Sequence, residues 1–210
     1  FGFFFGLGLA LWSANAGMKA IMDALNVIYD EDEKRGFFKL NLVSLTFTAG
    51  AIVAALTAIG AVVVLPILFK FIGLGALTEL IIGALRWPAL LVLVLLGLAV
   101  LYRYGPSRRE AQWKWLTPGS LFATIAWLAG SALLSLYLSK FADYDATYGS
   151  LGAAIGLMMW MWMSSIVILV GAEINAEIEH QTAEDTTISE NAPLGQREAA
   201  MADTVGEAKA

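Results

Sequence analysis

Between Gly149 and Ala172 the chain runs for 24 residues without a charge, and Glu173, Asn175 and Glu177 then close the run. A helix crossing the hydrocarbon of a bilayer needs about 20 predominantly apolar residues. Inside lipid, every backbone N–H and C=O has to be bonded within the segment itself. The run therefore predicts a transmembrane helix, with the carboxylates marking its return to water. Composition agrees: 59% of residues are hydrophobic and 15% charged, whereas soluble domains are about 45–50% apolar. The fold class that follows is all-α, a polytopic membrane helix bundle.

Five apolar runs predict five spans. They are Phe1 to about Ala20, Leu40 to Phe69, Trp87 to Tyr102, Thr117 to about Ser139, and the run from Gly149. The second is longer than a bilayer needs, so it is expected to tilt, protrude or kink near Gly60 or Pro66. The third is short and borrows residues from the loop before it. Thr117-Pro118 reads as the cap and first turn of the fourth. Phe71 to Leu85, punctuated by Gly73, Gly75, Glu79 and Gly83, suits an interfacial helix on the outer face, with a re-entrant segment as the other reading.

Lys and Arg in short loops set orientation, because positive charge stays on the cytoplasmic side. Lys34, Arg35 and Lys39 lie in one loop, and Arg103, Arg108, Arg109 and Lys114 in another, while the alternate connections hold Lys70 and Arg86, or Lys140 alone. Both basic loops are therefore expected in the cytoplasm, with Phe1 outside and the C-terminus inside. A start on the outer side implies one further span upstream, six in the intact protein. Residues 1–179 form the bundle. Residues 180–210, with six acids against Arg197 and Lys209, hold few large apolar groups and predict a disordered acidic cytoplasmic tail. That tail carries −4 of the net −5, so the remaining −1 leaves no basic footprint for nucleic acid. The chain has no cysteine, which excludes disulfides and thiolate chemistry.

Three separated stretches carry a family resemblance. Tyr144 to Glu177, YDATYGSLGAAIGLMMWMWMSSIVILVGAEINAE, closely resembles the closing signature of the YihY/BrkB family of bacterial inner-membrane proteins. LWSANAGMKAIMDALNVIYD (Leu11 to Asp30) and LYRYGPSRR followed by WKWLTPGSLFATIAW (Leu101 to Trp127) agree with it in order. The resemblance implies a six-span plasma-membrane protein of a family described as transporters or virulence-associated factors and formerly labelled ribonuclease BN. The family's additional N-terminal span and outer segment have no counterpart in this sequence. The nuclease label conflicts with the residues. Phosphodiester hydrolysis commonly uses metal-bound water or a poised acid–base pair, and the single histidine, His180, has no ligand cluster around it. No catalytic, metal or cofactor residue is assigned.

Two polar constellations are candidates for function. Asn15, Lys19, Asp23, Asn26 and Asp30 recur at helical spacing. They either line a cytoplasm-facing cavity, with Lys19 and Asp23 paired, or meet headgroups while the lysine snorkels. Glu173 and Glu177, four residues apart around Asn175, either form a proton-coupling or cation site or dock on a basic loop as a topological lock, since carboxylates at a helix C-terminus oppose the dipole. Asp143, Tyr144, Asp145 and Tyr148 read as a capped outer turn with interfacial tyrosines. Small-residue ladders at Gly2/Gly6/Ala10/Ala14, Gly50/Ala54/Ala58 and Gly152/Gly156 predict close helix seams, with homo-oligomer contacts as a second use.

The expectation is a non-enzymatic secondary transporter or exporter of an amphiphile or small solute, in contact with membrane lipid. The alternative is a non-transporting membrane scaffold. A nucleotide-phosphate loop is absent from the sequence, so any transport would be secondary, passive or driven by another chain.

Overall fold

The computed structural model describes residues 2–65, 67–68, 76–140, 150–188 and 191–206. Five long helices account for most of them: α1 (Gly2–Ile28), α2 (Phe37–Ile59), α3 (Ala76–Tyr104), α4 (Trp113–Lys140) and α5 (Ser150–His180). A four-residue helix, α6 (Ala200–Asp203), follows near the C-terminus. Among the described residues, four segments are long and apolar enough to cross a membrane: Phe37–Val64, Leu80–Tyr104, Trp113–Leu138 and Gly152–His180. This is the polytopic helical bundle that the apolar runs predict.

The differences from expectation have physical reasons. From Gly2 the first apolar run is helical, yet it is not among the four, because Asn15 and Lys19 interrupt its second half. At Gly60 the backbone of α2 passes into a π-helical turn, Gly60–Val64, the single-turn form in which π-helix occurs inside α-helices. Pro66 lies outside the described residues. From Ala76 onward the expected interfacial segment is already part of α3, which runs through Pro88 without a break. Residues 71–75, and 141–149 with the expected tyrosine turn, lie outside the described residues. α4 starts at Trp113, four residues before Thr117, which places Pro118 inside the helix.

α4 and α5 form the closest pair, α3 packs on α4, and α1 lies against α5 and α2. Glycine sets the closeness of the α4–α5 crossing. A Cβ on Gly119 would overlap the Gly171 carbonyl, and one on Gly171 would sit 2.7 Å from Ala123 Cβ. Further along the seam, Trp127 Nε1 donates to Ser164 Oγ at 2.9 Å and Trp160 Nε1 to Ser131 Oγ at 3.0 Å. The two indoles meet edge to face at 5.6 Å. Gly156 of the third small-residue ladder faces Leu138 in this seam, whereas a Cβ on Gly2, Gly6 or Gly50 of the other two ladders would meet nothing within 4 Å among the described residues.

The expected disordered tail needs correction. Asp185, Thr186, Thr187, Arg197, Ala199 and Ala202 are buried, and Thr187 forms an antiparallel bridge with Ala111 of the α3–α4 loop. These residues have little apolar surface with which to build a core. They fold by hydrogen bonding onto one end of the bundle, a source of order that composition alone does not reveal.

Candidate functional site

The polar stripe of α1 divides between two neighbours. Buried positions on this helix are Asn15, Met22, Leu25 and Asn26, a face from which residue 23 is turned away, so Asp23 is exposed. The expected Lys19–Asp23 pair does not form. Lys19 Nζ donates instead to Asn41 Oδ1 of α2 at 2.6 Å. One turn earlier, the Asn15 Oδ1 is buried with no hydrogen-bond partner. α2, whose Asn41 meets Lys19, carries Ser44 and Thr48 on the same helical face at spacings of three and four. Ser44 and Thr48 are buried, their hydroxyls donating back to the Asn41 and Ser44 carbonyls at 3.1 and 2.8 Å. A polar seam thus enters the apolar span from its Phe37 end.

Asn26 belongs to a second assembly, where loops converge. Its Oδ1 accepts from the Ser107 N–H at 2.7 Å and its Nδ2 donates to Glu33 at 3.1 Å. Arg35 then grips Glu33 through Nε and Nη2, each at 2.8 Å, and Nη2 also donates to the Gly105 carbonyl at 2.7 Å. Burial alone would push the Glu33 carboxyl up. The Arg35 side chain and backbone N–H, with Asn26, override it and hold the group at about 2.

The acids that close α5 separate by face. Glu173 and Glu177 are exposed, so neither docks on the basic loop as expected. Asn175 and Glu179, two residues on and again four apart, point inward. Asn175 Oδ1 accepts from the Gly119 N–H at 2.8 Å, and its Nδ2 donates to the Leu116 carbonyl at 3.2 Å. It therefore clamps α4 at the turn where Pro118 has no N–H to give.

Glu179 supplies the lock that the sequence assigned to its neighbours. Arg108 Nη1 donates to Glu179 Oε2 at 2.6 Å, with the two side chains 0% and 2% exposed. The Thr186 hydroxyl donates to the other carboxylate oxygen. The Arg108 guanidinium lies 4.3 Å from the Tyr29 ring centroid, a cation–π contact made stronger by its removal from water. Burial drives the Tyr29 hydroxyl well above its ordinary range, against the pull of Arg108. The Asn175 amide lies close to that hydroxyl, yet no partner meets it in hydrogen-bond geometry. Arg108, Glu179 and Tyr29 were not singled out from sequence. The available signal was the inward stripe of α5, Gly171, Ala172, Asn175, Ala176 and Glu179, whose spacing excludes Glu173 and Glu177.

Residues 181–188 and 191–206 complete this capped end. Gln112 N–H donates to the Thr186 carbonyl at 2.8 Å and Ile188 N–H to the Glu110 carbonyl at 3.0 Å. The Arg197 guanidinium, in a residue 5% exposed, donates to the Ala183, Glu184, Ala192 and Ala202 carbonyls at 2.8–3.0 Å. Ala200 N–H reaches Glu31 of the α1–α2 loop at 2.8 Å. His180 ends α5 with its ring 3.6 Å from where a Cβ on Gly206 would lie, and so belongs to the same assembly.

Comparison with known proteins supplies the family. The chain is similar to the ribonuclease-like protein YfkH of Bacillus subtilis, with 38% identity over 180 residues, 82% of this chain and 64% of that one. It is similar to a UPF0761 membrane protein of Pseudoalteromonas translucida, with 35% identity over 92 residues, 44% of this chain and 30% of that one. A UPF0761 membrane protein of Alteromonas mediterranea shares 33% identity over 84 residues, 40% of this chain and 28% of its own length. The chain thus spans less than two thirds of the length of each of these relatives. No solved structure matches it. The family model described as virulence factor BrkB matches residues 2–195, and the chain is a membrane protein that belongs to the BrkB family.

Proposed function

We propose that the protein is a secondary transporter or exporter of an amphiphile or small solute in the bacterial inner membrane, with the capped end in the cytoplasm. The observation that carries this reading is Lys19. At the capped end, Lys34, Arg35, Arg108, Arg109, Lys114 and Arg197 each lie within 4 Å of a carboxylate. Lys19 bonds to a neutral amide, beside a buried unpartnered Asn15 oxygen and the sunken hydroxyls of Ser44 and Thr48. Polar groups in an apolar span are expensive unless they meet protein or water, and a passing polar headgroup or solute would use these. The cytoplasmic assignment rests on the positive charge of both loops at that end. The reading is of a carrier rather than an enzyme, since the lone histidine is part of the cap's packing.

The test is headgroup-labelled phospholipid movement in vesicles holding the full-length protein, with wild type compared to Lys19→Ala. The expected result is a loss of rate on the order of tenfold, the factor carried by one hydrogen bond to a charged group. Equal rates in the two proteins would remove Lys19 from the path. A second reading, a non-transporting scaffold, draws support from the interlocked ion pairs of the cap, and complete absence of flux would favour it.

A further inference from the structure

We propose that residues 181–188 and 191–206 form a detachable strap that holds the capped end of the bundle shut and opens as one unit. The strap touches each element that a loosening of this end would have to separate. Thr186 bonds to Glu179 at the end of α5. Gln112 Nε2 donates to the Asp185 and Thr187 carbonyls at 3.2 and 2.7 Å, which ties the strap to the α3–α4 loop. Glu31 receives the Ala200 N–H, which ties it to the α1–α2 loop. Arg108, fixed by Glu179, lies beneath it against Tyr29.

Its internal construction makes the strap cooperative and separable. Arg197 gathers four carbonyls, from Ala183, Glu184, Ala192 and Ala202, around one guanidinium. Asp185 Oδ1 accepts from the Thr187 N–H and hydroxyl, and Oδ2 from the Ala192 N–H. Asp203 Oδ1 accepts from the Gly195 and Arg197 N–H groups at 2.7 and 2.9 Å. The segment is therefore held mainly by polar contacts to its own backbone and to the loops, and its apolar anchorage is small: Met201 packs against the core cluster, and Ala199 and Ala202 are buried. Units with few buried apolar contacts open locally at lower free energy than the bundle they cover. Opening would free Glu179 Oε1 and expose the Arg108–Glu179 pair to water without unwinding α5. This inference does not depend on transport and stands or falls separately from it.

Amide hydrogen exchange on the full-length protein in detergent tests it. The probes are peptides containing Gln112 and Ile188, whose N–H groups cross between loop and strap, and a peptide from the middle of α5 around Ile168. In wild type the first two are expected to exchange together and faster than α5. Arg197→Ala and Thr186→Val should each accelerate both by about tenfold, the factor carried by losing a hydrogen bond of a charged group, and leave α5 unchanged. Three results would overturn the proposal: no acceleration in either variant, acceleration of only one of the two crossing amides, or a matching rise in α5 that makes the segment part of the global core.

Discussion

Arg108 meets Glu179 at 2.6 Å with both side chains withdrawn from solvent, and the pair joins the α3–α4 loop to the last turn of α5. Breaking a buried ion pair by removing one partner leaves an uncompensated charge and costs about 3–5 kcal/mol. Arg108→Ala and Glu179→Leu are each expected to destabilise the fold by a free energy of that order, read as a lower thermal unfolding midpoint in detergent. The double change Arg108→Met with Glu179→Leu should lose less than either single one, because no charge is stranded. Additive losses in the double variant would show that the two groups do not act as a pair.

The α4–α5 crossing predicts a contrast between glycines. Gly119→Ala places a methyl group against the Gly171 carbonyl and the Asn175 side chain, and both obstacles are fixed by the clamp itself. Overpacking at such a point costs about 1–3 kcal/mol. Gly17 and Gly97 have open space at the same position, so alanine there should be neutral or slightly stabilising through helix propensity. Unfolding midpoints of the three variants check this, and equal behaviour would mean that the helices do not approach so closely.

The Glu33–Arg35 contact predicts a pH window. Its carboxyl sits at about 2 in the fold against an ordinary value of 4.5. A depressed carboxylate contributes stability that is fully present above the unfolded value and is lost as pH falls through the folded one. The contact therefore holds down to pH 4.5 and fades between there and about 2. Glu33→Gln should flatten the acid limb of unfolding in that window, and an unchanged limb would sink the assignment.

The helices were legible because hydrocarbon demands long apolar runs, and the borrowed N-terminal part of α3 followed from counting length, whereas length left α2 free to tilt, protrude or kink near Gly60 or Pro66. Helix starts were less legible. Thr117-Pro118 looks like a cap, but Trp113 begins the helix, and the proline is tolerated where Asn175 crosses from α5. Rotation about each axis was legible only in part. Lys19 and Asn15 were recognised as polar inside an apolar run, whereas the partner of Lys19 comes from α2 and is invisible in the spacing along α1. Composition predicts disorder over residues 180–210 for the same reason: the order of residues 181–188 and 191–206 comes from carbonyls and loops elsewhere in the chain.

Asn175 separates a structural role from a cargo role. Its amide bonds to Gly119 N–H and to the Leu116 carbonyl, so each half of the side chain has a different task. Asn175→Leu keeps the approximate volume and takes this partner from the Gly119 N–H, while the Leu116 carbonyl retains the Ser120 hydroxyl, at a cost of about 1–3 kcal/mol for the buried group left unsatisfied. Asn175→Asp keeps the acceptor for Gly119 but turns an oxygen toward the Leu116 carbonyl, and should also destabilise. Both variants are expected to lower the unfolding midpoint, with Asn175→Gly lower still as the seam empties. If Asn175 instead served cargo, the same changes would leave the midpoint in place and alter only flux. Thermal unfolding and vesicle flux measured on the same preparations decide between the two roles.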